Sequence, residues 1–395
     1  MCCGREKKEF CRPRGNGYSW QGKRPCNICH QRYVRRRCLE LESCKPMTQS
    51  RKPHIRPIDF KSRRVDLTHG SGGRAMAQLI EELFEKEFDN SLLSQRNDQA
   101  VFEVPAGRMA MTTDGFVISP HFFPGGNIGS LAVHGTVNDV AMAGAKPLYL
   151  SVGMILEEGF PLSDLKKIVQ SMAAAAREAG VMIVTGDTKV VEKGSGDGIF
   201  ITTTGVGVVA EGVEVSADQA RPGDKILVSG TMGDHGVAIM SKRENLTFET
   251  EIQSDCASLN GLVENMIEAA PAIHVLRDPT RGGLAAVLNE IALQSGVGVK
   301  VREANIPVRP EVHGACELLG LDPMYVANEG KLVAFCAAGD AENLLAAMQA
   351  HPLGENAAII GEVIEDSRNF VQMETTFGGM RIVDWLAGEQ LPRIC

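Results

Sequence analysis

The sequence predicts a two-domain α/β protein, and three observations support that class. The chain has 395 residues, a length typical of two domains. From Val65 onward, short apolar strands alternate with amphipathic helices, with turn residues between them. The cluster Arg221–Asp224, which reads Arg-Pro-Gly-Asp, interrupts this alternation near its middle and predicts the boundary between the two domains.

The first half of the alternation begins with a glycine-rich loop, His69–Gly73, which leads into a helix. Apolar spacing, turn residues and helix stops then predict these elements in order: helix Met76–Phe84, a hairpin of Ala100–Val104 with Met109–Thr113, helix Ile128–Ala143, strand Leu148–Leu156, a helix capped by Ser163 and ended by Gly180, and strands Val181–Thr185 and Ile199–Val209.

The second half follows the same style, with strands that end in polar Gly/Asp loops. Its predicted elements are strand Lys225–Ser229, helix Val237–Ser241, a connecting helix Leu259–Ala269, helix Arg281–Ser295, and strands Gly298–Arg302 and Lys331–Cys336.

Charge and cysteine are distributed unevenly along the chain. Residues 1–64 hold 18 Lys and Arg against 5 Asp and Glu, a charge of +13, and residues 65–395 hold 23 against 44, a charge of −21. The acidic body argues against nucleic acid as a partner. Four of the 11 cysteines lie beyond residue 64, which predicts a reducing, cytoplasmic protein without a disulfide framework. No apolar run approaches 18 residues, so no membrane span is expected.

Residues 1–46 form a basic, cysteine-rich extension. Cys26–His30 reads Cys-Asn-Ile-Cys-His, the pattern of covalent haem attachment, but no apolar export segment precedes it. A zinc site would pair Cys26 and Cys29 with Cys38 and Cys44, at a spacing that fits zinc only loosely. Because the segment lacks aliphatic periodicity, we expect it to be disordered, or translation to start at Met47.

Acidic side chains lie in four places in the first half, mostly where strands give way to loops. The four places are Asn97–Ala100, Thr112–Asp114, Asn138–Asp139 within an otherwise apolar helix, and Gly186–Lys189. Each alone has a structural explanation as a helix cap, a turn or a surface acid. Together they predict carboxylates that hold Mg²⁺ and phosphates, because hard oxygen ligands suit that ion and offset its charge.

Three loops of the second half extend this pattern. Gly230–Gly236 is a glycine loop that opens a helix, an arrangement that favours anions although it is not a P-loop. Asp278–Gly283 opens another helix with a carboxylate and a guanidinium, and Asn328–Lys331 places an acid just before a strand. The histidines at 69, 121, 134, 235 and 274 show no metal-ligand spacing, and we interpret them as structural.

Cys395 stands at the end of a short arm that begins at Gly388. A frayed terminal cysteine is the ordinary interpretation of such a residue. Beside nucleotide-type loops, the alternative is a thiol that carries its substrate covalently between active sites.

These loops resemble, in this order, the aminoimidazole-ribonucleotide-synthetase-like (PurM-like) superfamily of ATP-dependent enzymes, and within it the hydrogenase-maturation carbamoyl dehydratases. The resemblance runs from about Val65 to the last residue, and residues 1–46 have no counterpart. The segments that carry it are His69–Gly73, Asn97–Ala100, Phe123–Gly129, Val137–Asp139, Ile155–Gly159, Gly186–Val190, Gly233–Gly236, Asp278–Gly283, Ala327–Lys331 and Pro392–Cys395.

The resemblance implies a fold, α/β plus α+β, whose N-terminal sheet forms a barrel with the sheet of a second subunit and whose C-terminal domain is of a ferredoxin-like α+β type. The expected organisation is an extension over 1–64, an ATP-binding and dimerisation domain over 65–215, a second domain over 216–378, and a mobile tail over 379–395 with few apolar anchors. The implied partners are HypF, which donates the carbamoyl group, and a HypC–HypD complex, which accepts cyanide.

The resemblance also implies a role for each site residue. Cys395 carries an S-carbamoyl group that ATP activates and the enzyme dehydrates to a thiocyanate, with Lys189 at the γ-phosphate and Glu329 as the base. The nucleotide would be held by Gly72, Gly73, Asp98, Asp114, Asn138, Asp139, Asp187, Thr188, Gly233, Asp234, Thr280 and Arg281. Magnesium would be held by Asp98, Asp114, Asp139, Asp187 and Asp278.

Two alternatives remain open at this point. The first alternative is another ATP enzyme of this superfamily, either a small-molecule kinase, which has no use for Cys395, or a selenophosphate synthetase, which would want a reactive cysteine near the glycine-rich start. The second alternative is a metal-binding scaffold that uses the cysteine-rich N-terminus.

Overall fold

Two β-sheets organise the computed structural model, which describes residues 56–71, 73–97, 99–244, 252–270, 272–386 and 393–395. Residues 1–46 and the proposed start at Met47 lie outside the described residues, as do Gly72 and Asp98. Within the described ranges, no helix has the length and apolar character needed to cross a bilayer.

The first half is a four-stranded sheet with helices packed on one face. The strands of this half are β1 (Met109–Phe116), β2 (Phe122–Phe123), β3 (Gly126–Asn127), β4 (Ala145–Glu157), β5 (Met182–Val191) and β6 (Ile199–Val209). The four-stranded sheet has the order β1-β6-β4-β5, and β2 and β3 pair with each other in a separate two-stranded sheet. Its helices are α1 (Arg74–Leu79), joined by the π-helical turn Ile80–Phe84 to α2 (Glu85–Phe88), then α3 (Ile128–Met142) and α4 (Leu162–Ala179).

Helix α3 is the centre of this half and is buried along nearly its whole length. Asn127 caps it, because its side chain accepts from the backbone N–H groups of Gly129 and Ser130. Packing against α4 is so close that a Cβ on Gly129 would lie 2.4 Å from the carbonyl oxygen of Ile168. A helix enclosed in this way is apolar all round, which makes its polar Asn138 and Asp139 conspicuous.

The second half is a mixed seven-stranded sheet with the order β13-β12-β9-β11-β7-β10-β8. Its strands are β7 (Lys225–Val228), β8 (Ile273–Arg277), β9 (Gly298–Arg302), β10 (Val333–Cys336), β11 (Ala358–Ile364), β12 (Val371–Glu374) and β13 (Met380–Ile382). Its helices are α5 (Asp234–Arg243), α6 (Asn260–Ala269), α7 (Gly283–Ser295), α8 (Pro310–Leu319) and α9 (Ala341–Gln349).

The two halves share buried clusters. Val237, Ala238 and Ile239 of α5 belong to the core of the first half, while Ala141 and Met142 of α3 pack among residues of the second. The loops that follow β8 and precede β10 are therefore held against β1 and α3.

Two sequence-based predictions about this fold are wrong. Residues 100–104 are not a strand, and β1 pairs instead with β6, with Met109 opposite Val208. Val101 and Val104 are exposed, so the segment has no buried face to hold it on the sheet. The helix predicted to be capped by Ser163 begins at Leu162, with Pro161 at its N-cap, although it does end at Gly180 in the left-handed conformation.

Candidate active site

A cleft between the halves brings together carboxylates from β1, α3 and the loop after β8. Alternate residues of β1, namely Thr112, Asp114 and Phe116, are the more buried ones, and the Thr112 hydroxyl donates to Asp139 Oδ2 at 2.9 Å. Burial, together with the charges of Asp139 and Asp114, raises the pKa of Asp278 to about 7. Burial, and then the charge of Asp114, raises the pKa of Asp139 too. Three predicted magnesium ligands therefore lie close enough to repel one another.

Glu329 lies beside these carboxylates. Its side chain is buried, and its Oε1 has no hydrogen-bond partner. Burial raises the pKa of Glu329 well above its usual value, and the charges of Asp278 and Asp255 act in the same direction. The Glu329 backbone is fixed on both sides, because its N–H donates to Asp255 Oδ1 at 3.0 Å and its carbonyl accepts from Asn138 Nδ2 at 3.2 Å.

Asn138 is a bridge between the halves. Besides Glu329, its Nδ2 donates to the carbonyl of Ala257 at 3.0 Å, and its Oδ1 accepts from the N–H of Leu259 at 2.7 Å. Both polar atoms of the side chain are thus engaged with protein. The geometry supports a role in holding the Glu329 turn, and direct contact of Asn138 with the nucleotide stays a prediction.

The segment Arg393–Cys395 is docked along the end of β1. The N–H of Val117 donates to a main-chain oxygen of Cys395 at 3.0 Å, and Arg243 donates to the Arg393 carbonyl at 3.0 Å. Ile394 is buried at 3% exposure, and its carbonyl accepts from Nε2 of His235 at 2.9 Å. Ile394 is therefore an apolar anchor of this segment.

The Cys395 side chain borders a cavity of about 180 Å³ that Gly115, Arg281, Gly282 and Tyr325 also line. Burial raises the pKa of the Cys395 thiol, the charge of Glu329 raises it further, and Arg281 opposes the shift. The docked thiol is therefore protonated and a poor nucleophile. This geometry suits the processing of a group already attached to the sulfur.

The predicted phosphate loops are tied together by Asn328, which is fully buried. Its Oδ1 accepts from the N–H of Gly233 at 2.7 Å, and its own N–H donates to the Pro279 carbonyl at 3.0 Å. Asp234 is also fully buried, and one of its carboxylate oxygens accepts from Thr231. Gly233 and Asp234 thus have protein partners, while Thr280 and Arg281 are more accessible to a ligand.

Within a single chain, Asp187, Thr188 and Lys189 lie away from the carboxylates of β1, α3 and the loop after β8. The sequence suggested a loop after the strand, but these residues belong to β5 itself. Lys189 Nζ lies 2.8 Å from Asp187 Oδ2, and both side chains are exposed. Asp187 is level with Gly153, which is level with Thr202 and so with Gly115. Three strand spacings, roughly 14 Å, therefore separate Asp187 from Gly115 beside Asp114. Gly73 is exposed at the start of α1.

Sequence reasoning missed two residues of this site. Asp255 lies in a segment without any recognisable motif, and its contact with Glu329 depends entirely on tertiary folding. His235 was interpreted as structural, and it is indeed buried, yet it contacts the docked segment directly. The unusual Asp-His pair at the start of a helix was the available signal.

The chemistry of the cleft fits a hard cation with phosphates. Within the described ranges, no three side chains of His, Cys, Asp and Glu converge into a preformed metal site. Carboxylates with raised pKa values and an unpartnered Glu329 oxygen nevertheless make a site that positive charge would stabilise.

Comparison with known proteins agrees with this architecture. Residues 96–209 match the family model "AIR synthase related protein, N-terminal domain", and residues 221–374 match the corresponding C-terminal domain model. A curated relative from Cupriavidus necator, "Carbamoyl dehydratase HypE", is 70% identical over 341 residues, which are 86% of this chain and 97% of the relative.

Solved structures also resemble the chain. A HypE structure in complex with ATP superposes with a TM-score of 0.81 at 53% identity, covering 83% of this chain and 99% of that one. A HypE chain from a HypE–HypF complex superposes with a TM-score of 0.69 at 54% identity, covering 78% and 99%. These matches confirm the predicted two-domain PurM-like fold and set aside the kinase and selenophosphate synthetase alternatives. The chain belongs to the HypE family of carbamoyl dehydratases, enzymes of hydrogenase maturation.

Proposed function

We propose that the chain dehydrates an S-carbamoyl group on Cys395 to a thiocyanate, with ATP as the activating co-substrate. The observation that carries this proposal is the docking of Arg393–Cys395, which places the Cys395 side chain at a cavity beside Arg281 and near Glu329. The ATP complex of a similar protein supports the choice of co-substrate.

The reaction requires activation because a carboxamide oxygen is a poor leaving group. Transfer of the γ-phosphoryl group of ATP to that oxygen, with loss of one proton from nitrogen, gives an O-phosphorylated imidate. Loss of the second nitrogen proton then forms the C≡N bond as the C–O bond breaks and phosphate leaves. The balance is S-carbamoyl cysteine plus ATP to thiocyanate, ADP and phosphate.

Glu329 is suited to accept the second nitrogen proton, the one lost as the C≡N bond forms. Its Oε1 is free of hydrogen bonds, and its raised pKa lies nearer to the pKa of the nitrogen that gives up the proton. Arg281, at the rim of the same cavity, is suited to stabilise negative charge on the phosphoryl group. Lys189 remains our candidate for the γ-phosphate, from its position beside Asp187 on β5.

Magnesium is the cation that these carboxylates suit. Asp114, Asp139 and Asp278 would hold it, with Asp98 and Asp187 as further predicted ligands. When bound, it would supply charge neutralisation at the transferring phosphoryl group.

The proposed partners are the enzyme that supplies the carbamoyl group and the complex that accepts the cyanide. A complex of HypE with HypF is known for a similar chain, and we propose that a HypF-type enzyme carbamoylates Cys395. A HypC–HypD complex would then accept the cyanide for a hydrogenase iron centre. Cys256, Cys316, Cys336 and Cys395 are all free, which suits a cytoplasmic carrier that must keep its thiol reduced.

Intact-mass analysis of the full chain with HypF, carbamoyl phosphate and ATP tests the proposal. We expect Cys395 to gain one carbamoyl group, followed by ATP-dependent loss of one water. The Cys395→Ser chain is the control and should gain neither. Carbamoylation of the Cys395→Ser chain at wild-type extent, or no loss of water from the wild type, would contradict the proposal.

A second copy of the chain fits the open face of the first sheet. The face of β1 opposite α3 exposes Met109 and Met111 at 50% and 74%, and Ile155 of β4 is exposed at 45%. Such an apolar face on a four-stranded sheet is typical of an interface. A copy packed there would also enclose Asp187 and Lys189, and we propose the homodimer on this basis.

We expect Met111→Glu to weaken the dimer at least about a hundredfold, because a charge would be buried within the interface. Light scattering across a concentration series measures this. Leu318→Glu is the matched control, since Leu318 is 68% exposed on α8 and should not affect the dimer. A monomeric wild-type chain, or a Met111→Glu dimer of unchanged affinity, would contradict the proposed interface.

A further inference from the structure

A series of hydrogen bonds, joined through the Ser254–Cys256 backbone, connects the docked segment to the Glu329 turn. It begins at the Ile394 carbonyl, which accepts from His235 Nε2 at 2.9 Å. His235 Nδ1 lies 2.8 Å from the Ser254 hydroxyl, whose oxygen accepts from the N–H of Cys256 at 3.1 Å. Asp255, between these two residues, accepts from the N–H of Glu329.

The donors and acceptors in this series of hydrogen bonds have only one consistent assignment. A carbonyl can only accept, so the proton of His235 is on Nε2. The ring is neutral, as its complete burial favours, so Nδ1 accepts the hydroxyl proton of Ser254. Phe123 packs edge-on to the ring with centroids 5.7 Å apart and restricts its rotation. His235 is therefore held in one tautomer by the docked segment and by Ser254.

The link between Asp255 and Glu329 is stiff because the backbones of the two segments are in direct contact. A Cβ on Gly330 would lie 1.8 Å from the Asp255 carbonyl oxygen, so the 254–257 segment and the Glu329–Lys331 turn are packed without space between them. Ser254 is braced in addition by its N–H, which donates to the Pro124 carbonyl at 2.9 Å. A displacement of the Ser254–Cys256 backbone must therefore displace Glu329 as well.

We propose that His235, Ser254 and Asp255 are positioning residues that couple the docking of Cys395 to the placement of Glu329. This inference rests on the proposed function and deepens it. When the segment leaves, the buried Nε2–H of His235 loses its acceptor, and the Ser254–Asp255 segment loses the partner that orients it. Glu329 is thus in its reactive position when Cys395 is docked.

The first test measures docking and does not depend on the reaction. Iodoacetamide labels the full chain, and peptide mass analysis gives the labelling rate of Cys395, with buried Cys316 as an internal reference. We expect His235→Asn to label Cys395 about tenfold faster, the effect of one lost buried hydrogen bond. His235→Gln, whose amide nitrogen reaches the Nε2 position, should remain close to the wild type.

His134→Asn is the matched control. His134 is also buried and also contacts a serine of the same segment, with its Nδ1 2.7 Å from the Ser258 hydroxyl. It does not hydrogen-bond the docked segment within the described residues, so its labelling rate should equal that of the wild type. Unchanged labelling in His235→Asn, or equal acceleration in His134→Asn, would overturn the docking step.

The second test measures coupling by a single turnover of carbamoylated chain with ATP. We expect His235→Asn and Ser254→Ala to dehydrate about tenfold more slowly, with the KM for ATP within twofold of the wild type and carbamoylation by HypF undiminished. His235→Gln should recover most of the rate. Wild-type dehydration rates in both variants, or equal losses in carbamoylation and dehydration, would overturn the coupling. Failure of the proposed function differs, because the wild-type chain itself would then not dehydrate.

Discussion

Replacing Glu329 with glutamine is expected to slow dehydration by about 10³-fold, while carbamoylation of Cys395 and affinity for ATP stay near wild type. Glutamine keeps the size of the side chain and leaves the backbone bonds to Asp255 and Asn138 intact. It cannot accept the nitrogen proton, so only the elimination step loses its base. The measurement is a single turnover of the carbamoylated variant, followed by intact mass.

The pH dependence of the same reaction provides a second criterion. Burial and neighbouring carboxylates hold the pKa of Glu329 above its ordinary value, and only the ionised form can act as a base. The wild-type rate should therefore fall as the pH falls through that raised pKa, at a pH above the usual carboxyl range. The residual rate of Glu329→Gln should lack this decline.

The exposed Glu317 provides the control, because Glu317→Gln on α8 should leave the rate unchanged. A Glu329→Gln rate within tenfold of the wild type would contradict the assignment of the base. A loss in Lys189→Ala larger than that in Glu329→Gln would move the assignment to Lys189.

The site residues that the sequence predicted all stand in local patterns of polar and apolar residues. Asp278 and Glu329 stand in short polar motifs beside buried strands, and loops at strand ends meet wherever a sheet forms. Asp139 was conspicuous because a buried carboxylate is costly and an otherwise apolar helix rarely carries one. Local patterns were enough to identify these residues, although not to say which of them touch.

The parts that sequence could not predict depend on long-range packing. Strand β1 pairs with β6, some 90 residues later, and no local pattern specifies that partner. Asp187 continues a strand because β4 extends alongside it, so its side chain lies on the exposed face instead of in a loop. Asp255 and His235 contact Glu329 and Ile394, and these contacts exist only in the folded chain.

Asn138→Ala is expected to destabilise the protein by about 3 kcal/mol, since three buried backbone groups would lose a partner at about 1 kcal/mol each. Those groups are the carbonyls of Ala257 and Glu329 and the N–H of Leu259. Thermal unfolding measures the loss, which should lower the melting temperature by about 6 °C. Asn260→Ala is the control, because the half-buried Asn260 makes one bond, to Ala179, and should cost about 1 kcal/mol.

The same variant decides between two roles for Asn138. If its side chain only holds the turn, the folded fraction of Asn138→Ala should bind ATP with unchanged affinity but dehydrate more slowly, because Glu329 is less well placed. A tenfold weaker affinity for ATP would instead make Asn138 a nucleotide ligand, as the family resemblance implies. A loss of stability below 1 kcal/mol would contradict the bridging role, since the buried carbonyls and N–H would then have found other partners.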